Sequence, residues 1–207
     1  MKATADFDPK ATAKKLLREG RSGALATLMQ DSGDPYCSLV NVATAADGSP
    51  LLLISTLAVH TRNILADPRV SLMIDERKQG DPLEGARIML LGTPEPIADN
   101  DIRRRYLVRQ PEAEMYVGFT DFSFYRMALK GAHLVAGFGR IVDLMPEDIL
   151  TPTDDAAELI AAEPDIIAHM NEDHAEALPA LCCQAAGRRR RRLALRGLRP
   201  RGAGTPV

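Results

Sequence analysis

The chain has no tryptophan, and Phe and Tyr together make up only 4% of its 207 residues. Aliphatic side chains must therefore do most of the packing. Apolar residues reach 45%, enough for a full core without disulfides or a structural metal. Cysteine is scarce as well. Cys37, Cys182 and Cys183 are an odd number, and the adjacent pair makes neither a CxxC nor a metal-ligand spacing. That pattern fits free thiols in a reducing compartment. No apolar run approaches the roughly 20 residues that cross a bilayer. Residues 1–8 lack the apolar segment of a signal peptide. A cytoplasmic protein with no membrane partner is the expectation. GxGxxG is also missing, so a nicotinamide would bind only transiently, against another cofactor.

Net charge is small, −2, but unevenly placed. Residues 187–207 hold eight of the 26 basic side chains and no acid, which leaves 18 bases against 28 acids in the body. An acidic body argues against a nucleic-acid partner. The tail departs in composition from everything before it, with five consecutive Arg at 188–192. It reads as GC-rich coding in a shifted frame; the alternative is a basic arm for nucleic acid or acidic lipid.

Periodicity and turn residues predict a helix over 8–19, with Asp8 as N-cap, Pro9 first and Gly20 beyond the end. Strands follow at 22–29, 36–44 and 51–55. The turns Asp31-Ser32-Gly33-Asp34 and Ala46-Asp47-Gly48-Ser49 between them suggest an antiparallel meander. A short helix is expected over 61–66, a strand over 70–75, a polar connection over 76–84 and a long strand from 86 to 93. An Arg-rich helix over 100–109 with an extension at 111–116 precedes strands at 122–129 and 133–143. Gly137 and Gly139 suggest a bulge or a close backbone approach in the last of these. Beyond Pro146 the strand signal stops, and helices are expected over 154–162 and 165–185. The reading is thus two domains, a β-rich body over 1–150 and a helical appendage over 151–207.

The stretch from Ile54 to Asn63 is the most informative. A buried strand ends there and opens into a helix. Ser55, Thr56 and Thr61 offer hydroxyls, Arg62 a fork of donors, and the helix N-terminus its free N–H groups. Together they can form a phosphate site; alternatively, Thr61 only caps the helix and Arg62 is solvated. A second constellation is His169-Met170-Asn171-Glu172-Asp173-His174, in which His169 and Asp173 share a helix face. It is not the HExxH zinc spacing. His169 and His174 are candidates for haem iron, or else polar histidines at a domain contact. No other metal site is expected. Arg103-Arg104-Arg105 is either an anion patch or a solvated face paired with Glu112 and Glu114. His133 is read as structural, in a strand-edge turn.

The segments 35-PYCSLVNVATAADGSPLLLIS-55 and 56-TLAVHTRNILADPRVSLMI-74 carry a family resemblance. They resemble the FMN-binding split barrel of the pyridoxamine 5'-phosphate oxidase-related superfamily. The "HTRN" pattern, 85-GARIMLLGTPEPI-97, 119-FTDFSFYRMAL-129, 135-VAGFGRI-141 and 167-IAHMNEDHAEAL-178 are similar to its haem-utilisation, HugZ-like branch. The resemblance implies a mainly β fold with flanking helices: a six- or seven-stranded split β-barrel followed by a C-terminal helical segment. It implies a homodimer with FMN between subunits. Thr61 and Arg62 would hold the flavin phosphate, with Ser55, Thr56, His60 and Asn63 around it, and Ser38, Leu39, Val40 and Asn41 would line the ring. The sequence departs from true pyridoxamine-phosphate oxidases. Their second strand carries Arg and Lys in an RxVLLK-like form, whereas Ser38–Ala43 reads SLVNVA, and the C-terminal Trp is missing. Pyridoxal-phosphate synthesis is therefore not expected. The expected function is an FMN-dependent oxidoreductase acting on a small molecule. The alternatives are a haem-binding or haem-degrading protein, or a non-catalytic flavin- or tetrapyrrole-binding module.

Overall fold

The computed structural model describes residues 7–76, 81–137 and 139–174. The chain divides into two compact units, Met1–Pro152 and Thr153–Val207. The first opens with helix α1, Pro9–Glu19, whose N-cap Asp8 accepts the Ala11 N–H at 3.0 Å. Ala13, Leu16 and Leu17 form its buried stripe at helical spacing. Strand β1, Ser22–Leu28, turns through Gly33 (φ 74°) into β2, Pro35–Asn41. A break at the buried Val42 separates β2 from β3, Ala43–Thr44, so the predicted 36–44 strand is two strands. Gly48 (φ 97°) closes the next hairpin into β4, Pro50–Ser55. Helix α2 spans Val59–Ala66 and β5 Val70–Asp75, then β6 runs Ala86–Pro96 and α3 Asn100–Arg109. Strands β7, Phe122–Ala136, and β8, Ile141–Leu144, precede a short helix α4, Pro146–Ile149.

The eight strands form one antiparallel sheet in the order β2-β1-β5-β6-β7-β4-β3, with β8 on the side of β7. This is a mainly β split barrel with flanking helices, one strand larger than expected from sequence. The predicted antiparallel meander is present, split at Val42: β1 pairs with β2 and β3 with β4, while β4 pairs on its other side with β7. The two predicted strands at 122–129 and 133–143 are corrected. Chain 122–136 is one strand because β6 pairs along its whole length, absorbing Lys130 at an irregularity opposite Leu91/Gly92. The reversal comes later, where Gly137 (φ 87°) and Gly139 (φ 73°) make a turn rather than a bulge.

Inward side chains Leu25, Leu72, Ile88, Leu90, Met127 and Leu134 are all fully buried in the barrel core. Each such side chain contributes roughly 1.5–3 kcal/mol. Leu51 and Leu53 point the other way, into a second cluster with Ile102 and Tyr106 of α3, so β4 is buried on both faces. By contrast, the outer face of β1, β2, β5, β6 and β7 stays open. One cross-strand row there reads Leu39, Ala24, Met73, Met89, His133, Asp143. Leu39 is 72% exposed, Met89 41% and Leu91, in the next row, 48%.

In the second unit, a 3-10 turn at Asp154–Ala156 leads into a single helix α5, Ala157–Asp173. The predicted break near 163–164 does not occur. Pro164 removes one backbone N–H, and the helix continues through it. The predicted helical residues beyond 174, the Arg-rich tail, Cys182 and Cys183 lie outside the described residues. No helix among the described residues is long and apolar enough to cross a membrane.

Candidate functional site

At the β4–α2 junction the chain leaves the sheet at Ser55. The Ser55 hydroxyl donates to Asp121 Oδ2 at 2.5 Å and accepts the Leu57 N–H at 3.0 Å. The Thr56 N–H donates to the Asp121 carbonyl. These bonds fix the turn, and α2 starts at Val59, two residues before the predicted start, with Ala58 as its N-cap. Thr61 is therefore inside the helix and fully buried, its hydroxyl without a partner; it does not cap. Asn63 is buried too. Its Nδ2 donates to Thr27 Oγ1 at 2.9 Å, and its Oδ1 accepts the Gln30 N–H at 3.2 Å. Arg62 is exposed, with Thr56 exposed beside the turn.

His60 is half-buried. Its Nδ1 lies 3.1 Å from Ser38 Oγ, and its Nε2 is enclosed without a partner. Burial pushes the His60 pKa down. Ser38 and Val40 of β2 face the barrel side, whereas Leu39 and Asn41 face outward with Cys37, an exposed free thiol. Alternation along a strand thus divides the four residues expected to line one flavin wall.

Of the residues expected around an FMN phosphate, only Arg62 presents a charge to solvent. Thr61 and Asn63 point into the protein, Ser55 is committed, and the Asp121 carboxylate beside it opposes an anion. Asp121 lies 66 positions from Ser55, and sequence reasoning missed it because only the β4–β7 register brings the two together.

The other candidates lie elsewhere. On α5, His169 Nδ1 meets Asp173 Oδ2 at 2.8 Å, and the His169 and His174 rings pack edge to face at 5.0 Å. The helix buries no residue. Arg104 and Arg105 both engage Asp101, at 2.5 and 2.6 Å. His133 is not in a turn: it stands mid-strand on the outer face, its Nδ1 2.7 Å from Asp143 Oδ1. A cavity of about 300 Å³ lies against Asp47, Ser49, Glu95 and Arg126. There Arg126 donates to Ser49 Oγ at 2.7 Å and to Asp47 Oδ2 at 2.6 Å. Burial works to raise the Asp47 pKa, but hydrogen bonds from Ser49 and the Arg126 charge outweigh it, so the net shift is downward. No group of three or more His, Cys, Asp or Glu able to hold a metal ion occurs among the described residues.

This split barrel, with a buried β4 opening into α2, belongs to the CREG β-barrel family, which residues 7–151 match. The chain is 34% identical over 185 residues to the chloroplastic non-canonical heme oxygenase HOZ of Arabidopsis thaliana. That match takes in 86% of this chain and 56% of the plant protein, so the chain spans little more than half of that relative. A protein of unknown function from Agrobacterium tumefaciens is 30% identical, with a TM-score of 0.76 over 88% of this chain and 76% of that one. A heme binding protein from Mycobacterium smegmatis is 29% identical, with a TM-score of 0.65 over 86% and 74%.

Proposed function

We propose that this chain binds haem and takes part in its oxidative degradation, as a homodimer that holds haem between two barrels. The observation that carries this reading is the 34% identity to a heme oxygenase over 86% of the chain. The open apolar face supports it, because a planar apolar macrocycle needs a flat wall and a second copy to shield it from water. Haem is here both ligand and substrate, and its iron supplies the oxygen-activating chemistry. The chain's own residues hold the macrocycle against the sheet and exclude water from it. Reducing equivalents come from an external donor.

The FMN reading rests on Arg62 and the first-turn N–H groups of α2. It is the weaker one, because a single cation faces that loop. The test is to titrate the purified chain with haem and, separately, with FMN. Haem is expected to give a stoichiometric Soret band at micromolar concentration, which bleaches with release of iron when a reductant and oxygen are added. Absence of the band, with tight FMN binding that Arg62→Ala weakens roughly 10-fold or more, overturns the haem reading in favour of the flavin one. Light scattering that finds a monomer with and without haem refutes the dimer.

A further inference from the structure

We propose that His133 is the ligand to the haem iron and that Asp143 is the residue that positions it. This rests on the haem reading above. His133 Nδ1 lies 2.7 Å from Asp143 Oδ1 on the neighbouring strand. A carboxylate only accepts, so Nδ1 carries the proton and Nε2 keeps its lone pair free. A ring held in this way is oriented and made a stronger donor to a metal. β7 is hydrogen-bonded on both sides at this point, to Met89 of β6 and Asp143 of β8, so the backbone beneath the imidazole is fixed.

The surroundings suit a macrocycle. Met89 stands directly across from His133, with Met73 beyond it and Leu91 in the next row, all exposed. Opposite Leu91 the floor is Gly131, two residues from His133 on the same face. The backbone does not require glycine there, since its φ is not positive. A Cβ at that position would meet only the Leu144 carbonyl, at 3.6 Å. Gly131 therefore leaves the sheet flat beside the imidazole, where a porphyrin edge would lie.

None of the other three histidines combines these features. His60 Nε2 is enclosed and out of reach. His169 is held by Asp173 in a similar way, but on a helix rather than on a strand fixed by pairing on both sides. His174 shares that helix end.

The experiment titrates hemin into the full chain and into His133→Ala, Asp143→Asn, Gly131→Leu, His169→Ala and His174→Ala, with circular dichroism as a check on folding. Wild type is expected to show a histidine-ligated Soret band. His133→Ala should lose that signature and regain it on adding free imidazole, which fills the gap left by the ring. Asp143→Asn should keep the band, lower the ferrous iron–histidine stretching frequency and weaken affinity roughly 10- to 100-fold. Gly131→Leu should weaken binding with an unchanged fold. His169→Ala and His174→Ala should match wild type. A wild-type spectrum in His133→Ala, or loss of the band in His169→Ala or His174→Ala, overturns the assignment while leaving haem binding intact. No Soret band in wild type overturns the haem reading itself.

Discussion

Asn63 distinguishes a structural role from a ligand-binding one. It lies on the strand-to-helix turn that a phosphate would use, yet it is 2% exposed and tied to β1 through Thr27 and Gln30. Asn63→Ala removes both bonds. Gln30 is exposed, so its N–H can turn to water, and that loss is worth about 0.5–1.5 kcal/mol. Thr27 is 2% exposed, so its hydroxyl is left unsatisfied, at about 1–3 kcal/mol. The expected total is about 1.5–4.5 kcal/mol. For a chain of this size, that lowers the melting temperature by roughly 3–18 °C. Urea and thermal unfolding of Asn63→Ala, Thr27→Val and the double variant measure it, and the cycle should show a coupling of about 0.5–3 kcal/mol. If Asn63→Ala changes stability by less than about 0.5 kcal/mol, as surface replacements do, the residue faces solvent and the buried bridge is wrong.

Two further outcomes concern the barrel. Gly92→Ala drives a Cβ into the Ala128 carbonyl oxygen at the β6–β7 irregularity and should destabilise by the upper end of about 1–3 kcal/mol, whereas Gly118→Ala, with open space around it, should be near neutral in the same urea titration. His60 has a folded pKa below the ordinary 6.5, so the unfolded chain binds the proton first. Stability should be level above pH 6.5 and fall as pH drops below it; urea midpoints through that range should show a steeper fall in the parent chain than in His60→Asn.

The parts of the fold that sequence specifies are those with local punctuation. α1 and α3 are bounded by Asp8 and Asp99, each accepting N–H groups of the first turn, and β5 lies between Pro68 and a polar loop, so their limits were readable. Where long-range pairing decides, local signals misled. Lys130-Gly131 looks like a strand end, but β6 holds that stretch extended. Thr61 looks like a cap, but the Ser55–Asp121 bond sets the turn earlier and draws the threonine inside. His133 and Asp143 are ten residues apart with nothing in the intervening sequence to join them. Only the register of β7 on β8 turns them into a pair.

The placement of the cations bears on which ligand the barrel can hold. A flavin mononucleotide needs positive charge gathered at one point for its phosphate. Here Arg126 is held by Asp47 and Ser49 at one end of β7, and Arg104 and Arg105 by Asp101 on α3. Arg62 stands alone at the β4–α2 turn, with the Asp121 carboxylate close to the same turn. Charge pairs of this kind fix local structure and leave little net field to attract an anion. Haem makes a different demand: one well-oriented nitrogen and a broad apolar wall, with charge needed only at its propionate edge. In the proposed haem site, the outer face from Leu39 to His133 would be the wall, and His133, held by Asp143, would be the nitrogen. On that proposal, the ligand nitrogen and the apolar wall come from one face of one sheet, fixed by the register of β6, β7 and β8.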